Sequence, residues 1–327
     1  MPLDHYISQV HLKKFYSPAL GDRMYAIRKA DLKTFTPNSK AVCGINDGST
    51  NAYLRTDRAI EEFLETIEPK YNATIEKLTA NNIDQECIYT IAGFIAYVMA
   101  CSPAGMRIQS GPLKRSVETT TALLEAQGLL PSPPPALAGA TFTGLLRSGA
   151  IKLTIDPKYP QAIGIRSILK ATAIFGNFKW DILRNNFHDS PFFTSDFPAA
   201  IEETNDPRVL NRIVPLAPNL ALRIRPDPTL DTGRLDFGFA KFGYRIRNIA
   251  RQELAEINRL IVRCAEDTIF YRDNQPWIAS FVAKNRHYRI EPQTQELRTP
   301  TGKLLLSRLR VVASTSPSAP SQPGRVA

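Results

Sequence analysis

The chain is short of the residues that do most metal and redox chemistry, with 4 cysteines and 4 histidines among 327 residues. Cys43, Cys87, Cys101 and Cys264 are scattered, without a CxxC pair or histidines at finger-like spacing, so no zinc site is expected. Neither a GxxxxGK[ST] loop nor a GxGxxG turn occurs, and HExxH and GxSxG are absent as well. The common signatures of P-loop, dinucleotide, zinc-protease and α/β-hydrolase chemistry are therefore missing. Long apolar runs are lacking too. The longest, CIYTIAGFIAYVMAC at 87–101, falls short of the about 20 residues that a bilayer span needs and reads as a buried helix. The opening MPLDHYISQV has no basic segment followed by an apolar one. No secretory leader is expected from it, and the cytoplasm is the expected location.

What is present describes a globular protein, 43% hydrophobic and 22% charged. The 41 Lys+Arg against 31 Asp+Glu give a net charge of +10, which favours acidic partners. Nucleic acid or a phosphorylated small molecule is the expected partner class. Half of the chain's excess and more lies in 241–313, where 14 basic residues face 7 acidic ones. On the helix expected there, Arg247 and Arg251, then Arg259 and Arg263, fall four apart and repel unless something acidic meets them. A phosphate backbone would meet them, and so would Asp57 and the glutamates of 61–68 if that helix packed alongside. Both readings stand at this stage.

Periodicity divides the chain into a helical N-terminal half, a β-rich middle and a helical return. Apolar residues from Ile60 to Leu78 recur at helical spacing behind Asp57 as a cap, with a second helix behind Asp84. LKRSVETTTALLEAQG reads as a third helix, and the Pro-rich PSPPPALAGA as a linker. From 178 onward short aromatic and β-favouring runs alternate with turn residues: FKWDILRN, SPFFTSDFP and RIVPLAPNLALRIRP. A long helix is expected near Asn248, followed by WIASFVAKN and a basic end segment. This order predicts an α+β fold with a central, mostly antiparallel sheet and a long C-terminal helix. One globular domain is expected over 1–313, with a disordered Ser/Pro-rich tail over 314–327.

Four short patterns carry a resemblance. His5, Tyr6, Gln9, Leu12, Lys13 and Phe15 fit an opening of the form HYxPQxxLxxF; FFTSDFPAA at 192–200 contains a TSDxP element; PLAP occupies 215–218; and INRLIVRCAEDTIFYRD spans 257–273. In this order they resemble a bacterial family known as domain of unknown function 4238, over residues 4–275. Ser8 stands where the family has proline, and Phe197 where asparagine is frequent. The resemblance implies an architecture and a set of polar residues, and no mechanism.

Those residues define the expected site. His5 and Gln9, four apart, share a face of either a helix or a strand. Histidine titrates near neutrality, glutamine can orient a substrate through donor and acceptor, and Asp196 would add the carboxylate. His5, Gln9 and Asp196 are thus the candidate catalytic groups, with Tyr6, Ser195, Asn258 and Arg251 around the substrate. The bland alternative is that these residues cap helices and satisfy turns. His11 is expected on the surface, and His188–Asp189 as a turn. The sharper reading is a nuclease-like or nucleotide-directed hydrolase, for which a divalent metal or a general base remains open. The other is a non-catalytic nucleic-acid-binding or regulatory module that uses the basic helix.

Overall fold

The computed structural model describes residues 3–314 apart from 132–133, 138 and 300–301. Three residues of the PSPPPALAGA linker and the expected tail from 315 onward therefore lie outside the described residues. The chain opens with β1 (Leu3–His5), the one-turn helix α1 (Gln9–Leu12), β2 (Tyr25–Arg28), β3 (Thr34–Phe35) and β4 (Gly44–Asn46). Helices follow: α2 (Ala59–Ile67), α3 (Tyr71–Ala80), α4 (Gln85–Cys101), α5 (Pro103–Ala126), α6 (Phe142–Ser148), α7 (Lys158–Arg166) and α8 (Ile168–Gly176). Then come β5 (Lys179–Arg184), β6 (Thr194–Ser195), β7 (Ala200–Glu203), β8 (Leu210–Ala217), β9 (Leu220–Arg225) and β10 (Gly243–Asn248). The chain continues through α9 (Arg251–Cys264), β11 (Thr268–Tyr271), α10 (Ile278–Asn285), β12 (Tyr288–Thr299) and β13 (Gly302–Ala313). The fold class is α+β, as the sequence predicts. The first half is less helical than expected, because four short strands precede its first long helix.

The helical layer is built around α4. Its residues are apolar nearly all round, and α2, α3, α5, α7 and α8 enclose it. Asp84 caps it through the amide of Cys87 at 2.8 Å. Gly93 lets α2 come close: a Cβ there would stand 3.0 Å from Ile67 and 3.2 Å from Phe63. Ser102 ends α4 and caps α5 through Gly105, with Pro103 at the first position of α5, so the two helices meet at a bend of 63°. No single helix among the described residues is long and apolar enough to cross a membrane. The first helical stretch is two helices, because Pro69 has no amide to donate and the chain passes through a 3-10 turn at 68–70. Asp57 does not cap α2, whose first flanking residue is Arg58.

The strands form a five-stranded sheet ordered β10-β5-β9-β8-β7 and a four-stranded sheet ordered β3-β2-β11-β6. All their pairings are antiparallel except that of β10 with β5. Trp180, Ile182, Leu222, Ile224 and Val214 are fully buried on one face of the larger sheet. Each contributes about 1.5–3 kcal/mol or more of apolar burial. β1 pairs with β4, and β12 pairs with β13 as a long hairpin where the sequence reads only as a basic end segment.

The cleft at Tyr6 and the carboxyl behind it

His11 organises the first contact between the helical and β layers. It is fully buried, which corrects the expected surface position. Its ring lies against Phe94 and Phe15, with Nδ1 2.8 Å from the Tyr71 hydroxyl and Nε2 2.9 Å from Thr194 Oγ1. Burial pulls its pKa down to about 3, so it is neutral at ordinary pH. Thr194 is the first residue of the TSD turn, so this bond seats the 192–200 element against α1 and α3.

His5 and Gln9 belong to a closed relay. Tyr16 donates to Ser39 Oγ at 2.8 Å, Ser39 donates to Gln9 Oε1 at 3.2 Å, and Gln9 Nε2 donates to His5 Nδ1 at 3.4 Å. His5 Nε2 then donates to the carbonyl of Lys40 at 3.2 Å. The relay fixes the His5 tautomer and ties the opening to the turn at 39–41. The His5 carbonyl also takes the Tyr97 hydroxyl at 2.7 Å.

Asp196 is gathered separately. Its carboxylate accepts the amides of Glu266 at 2.9 Å, Asp267 at 2.7 Å and Thr268 at 3.0 Å, closing the turn onto the segment before β11. Burial first, and then the Glu266 charge, push its pKa up to about 7 against the pull of those amides. Lys29 lies beside it, donating to the carbonyls of Ala265 at 2.6 Å and Tyr288 at 2.8 Å. Burial lowers the lysine to about 8, opposed by Asp196 and its acidic neighbours. Tyr6 and the Cys43 thiol both feel the charge of the same carboxyl. Burial, Cys43 and Asp196 together raise its phenol well above the usual value, so the phenol keeps its proton. Cys43 holds a left-handed φ of 56°, an uncommon conformation for a residue with a side chain. Its carbonyl accepts the Tyr6 amide at 2.9 Å.

In front of this cluster lies a cleft of about 720 Å³. Tyr6, Arg107, Ser110 and Glu266 supply polar wall, and Met106 and Ile45 are among the apolar lining. Arg107 grips Glu266 with two parallel bonds of 2.8 and 2.7 Å. Asp196 is 5% exposed and stands directly behind the wall that Tyr6 and Glu266 make.

The expected site residues therefore separate into groups. Tyr6 lines the cleft, Asp196 lies behind it on the amide of the lining residue Glu266, and His5 with Gln9 brace the adjoining segment; among the described residues no hydrogen bond joins His5 or Gln9 to Tyr6 or Asp196. Ser195 is fully buried and accepts the Phe197 amide at 3.1 Å. Asn258 accepts the Phe193 amide and donates to the Pro191 carbonyl, pinning the same element to α9. Arg251 pairs with Asp189 at 2.9 Å and lies over the Phe187 ring. The other arginines here also meet local partners: Arg247 with Glu253, Arg259 with Glu256, Arg263 with Asn285 and the Tyr288 ring. These acids lie on α9 itself, not on α2. Lys29, Cys43 and Arg107 carry no motif, whereas Glu266 lies inside the 257–273 pattern. Among the described residues no three His, Cys, Asp or Glu side chains are grouped to hold a metal ion.

No curated protein and no solved structure matches the chain. A family model does, over residues 4–275, which takes in β1 through β11 and leaves the C-terminal hairpin outside. The chain thus belongs to the family described as protein of unknown function (DUF4238).

Proposed function

We propose that the chain is a hydrolase of nucleotide-sized substrates, working in the cleft in front of Asp196. The observation that carries this reading is one arrangement. A buried carboxyl, held by three amides, stands behind a cleft wall formed by a phenol and an Arg–Glu pair. The cleft volume falls in the range of small-molecule sites, about 300–1,000 Å³, and suits a ring with a polar end. A strand of nucleic acid would need a cationic groove, and the nearby arginines are already paired.

Each group has a chemical use. A carboxyl that titrates near 7 can take or give a proton at neutral pH. A phenol that keeps its proton is a donor for negative charge developing on substrate. Ser195 and Asn258 position the Asp196 turn, and His5 with Gln9 hold the chain on either side of Tyr6. Hydrolysis of p-nitrophenyl phosphate, bis(p-nitrophenyl) phosphate, p-nitrophenyl acetate and the four ribonucleoside triphosphates tests the reading. Turnover of at least one is expected, falling by about 100-fold or more in both Tyr6→Phe and Asp196→Asn with little change in Tm for Tyr6→Phe. Turnover of none, or full activity in Tyr6→Phe, overturns it.

A further inference from the structure

We propose that Arg107 is a positioning residue for Asp196, acting through Glu266 and held from behind by the C-terminal hairpin. The proposal rests on the reading of Asp196 as the acid–base group of the cleft, and it assigns that group its control.

Glu266 faces two ways. Its amide donates to Asp196 Oδ1 at 2.9 Å, and its carboxylate takes both forks of Arg107. The remaining side of the guanidinium is gripped by β12: Nη1 donates to the Ile290 carbonyl at 3.0 Å and lies 3.1 Å from the Glu291 carboxylate. Two residues back on the same strand, the Tyr288 carbonyl takes Lys29 at 2.8 Å. The His287 carbonyl is paired with Ser314 across the hairpin, so by strand alternation those of 288 and 290 both face away from β13. One strand edge thus holds both Arg107 and Lys29. Gly111 makes the fit close, since a Cβ there would stand 2.5 Å from Pro292.

The charged and titratable groups facing Asp196 are Glu266 and Asp267 before β11, Lys29 after β2, Tyr6 after β1 and Cys43 before β4. Two of these are carboxylates and one is a cation. Arg107 neutralises Glu266 by a bidentate bond, which restores the balance around the buried carboxyl. Without it, a bare Glu266 would repel the ionised form of Asp196 and hold it protonated to higher pH.

The test reads the carboxyl itself, in the full chain labelled with [4-13C]aspartate. The Asp196 resonance is the one titrating near neutrality, apart from the exposed aspartates, and is missing in Asp196→Asn. Arg107→Gln should raise its midpoint by about one pH unit, and Arg107→Lys should recover most of that shift. Glu266→Gln should lower the midpoint, and adding Arg107→Gln to it should then change nothing. An unmoved midpoint in Arg107→Gln, or a shift that persists in the Glu266→Gln background, overturns the proposal. The readout needs no turnover, so failure of the hydrolase reading and failure of this coupling are separate results.

Discussion

At the scale of the residue, two buried groups bind protons in opposite ways. His11 has a folded pKa of about 3 against 6.5 when free. Its contribution to stability is whole above 6.5 and is lost as pH falls toward 3. Asp196 has a folded pKa of about 7 against 3.8. Its contribution is whole below 3.8 and is lost as pH rises through 7. Between 3.8 and 6.5 the unfolded chain carries the histidine proton and the folded chain the aspartate proton, so the two slopes cancel. Urea midpoints of the wild type should therefore stay nearly level across that window from these two groups. In His11→Gln only the Asp196 slope remains. Its stability should rise toward that of the wild type by about tenfold in folding constant per pH unit as pH falls from 6.5 to 4. A gap between the two proteins that stays constant with pH would sink the assignment. Asn258 gives a simpler case: its side chain satisfies a buried amide and a carbonyl, and Asn258→Ala should cost about 1–3 kcal/mol in chemical denaturation.

At the scale of the element, the sequence marks what is either wholly buried or strongly periodic. α4 and α9 could be read because one is apolar all round and the other amphipathic, and β5, β8 and β9 because their runs are bounded by turn residues. The hairpin could not. Among its described residues Leu297, Leu304 and Leu306 share one face and lie open to solvent, so no apolar-inward, polar-outward alternation distinguishes it. Its root packs, through Ile290 in the core and Pro292 against Gly111. Gly111→Ala should therefore push β12 off α5 while leaving α5 itself helical. Amide exchange of residues 288–292 should quicken and the far-ultraviolet helix signal should hold; unchanged exchange there would show that the close approach is unimportant. The candidate site was legible in the same uneven way. Asp196 and Tyr6 stood in short patterns, whereas Lys29, Cys43 and Arg107 come from distant segments whose meeting depends on tertiary packing alone.

At the scale of the whole molecule, the charge excess has to be set against where the charges sit. The net +10 invites nucleic acid, yet Arg247, which lies on β10 and not on the expected helix, and Arg251 and Arg259 of α9 are spent on local acids. The larger sheet behaves likewise: Asp181, fully buried, takes Arg225 and Arg245, while Arg223 is shared between Glu202 and Glu253. A cation already paired gives up that pair before it meets a phosphate, so it releases few counterions on binding. Duplex DNA should accordingly bind only at low ionic strength, with no sequence preference. Its affinity should fall with salt at the same slope in Arg251→Ala and Arg259→Ala as in the wild type. A slope reduced by about one in either variant would mean that arginine does contact phosphate, and the basic-helix reading would return. Asp181→Asn probes the opposite role of the same pairing. It leaves two partly exposed arginines without their carboxylate and a buried amide with fewer partners, and the expected loss is about 1–3 kcal/mol in denaturation, with nucleic-acid affinity unchanged. The two measurements together separate charge that recognises a partner from charge that holds the sheet.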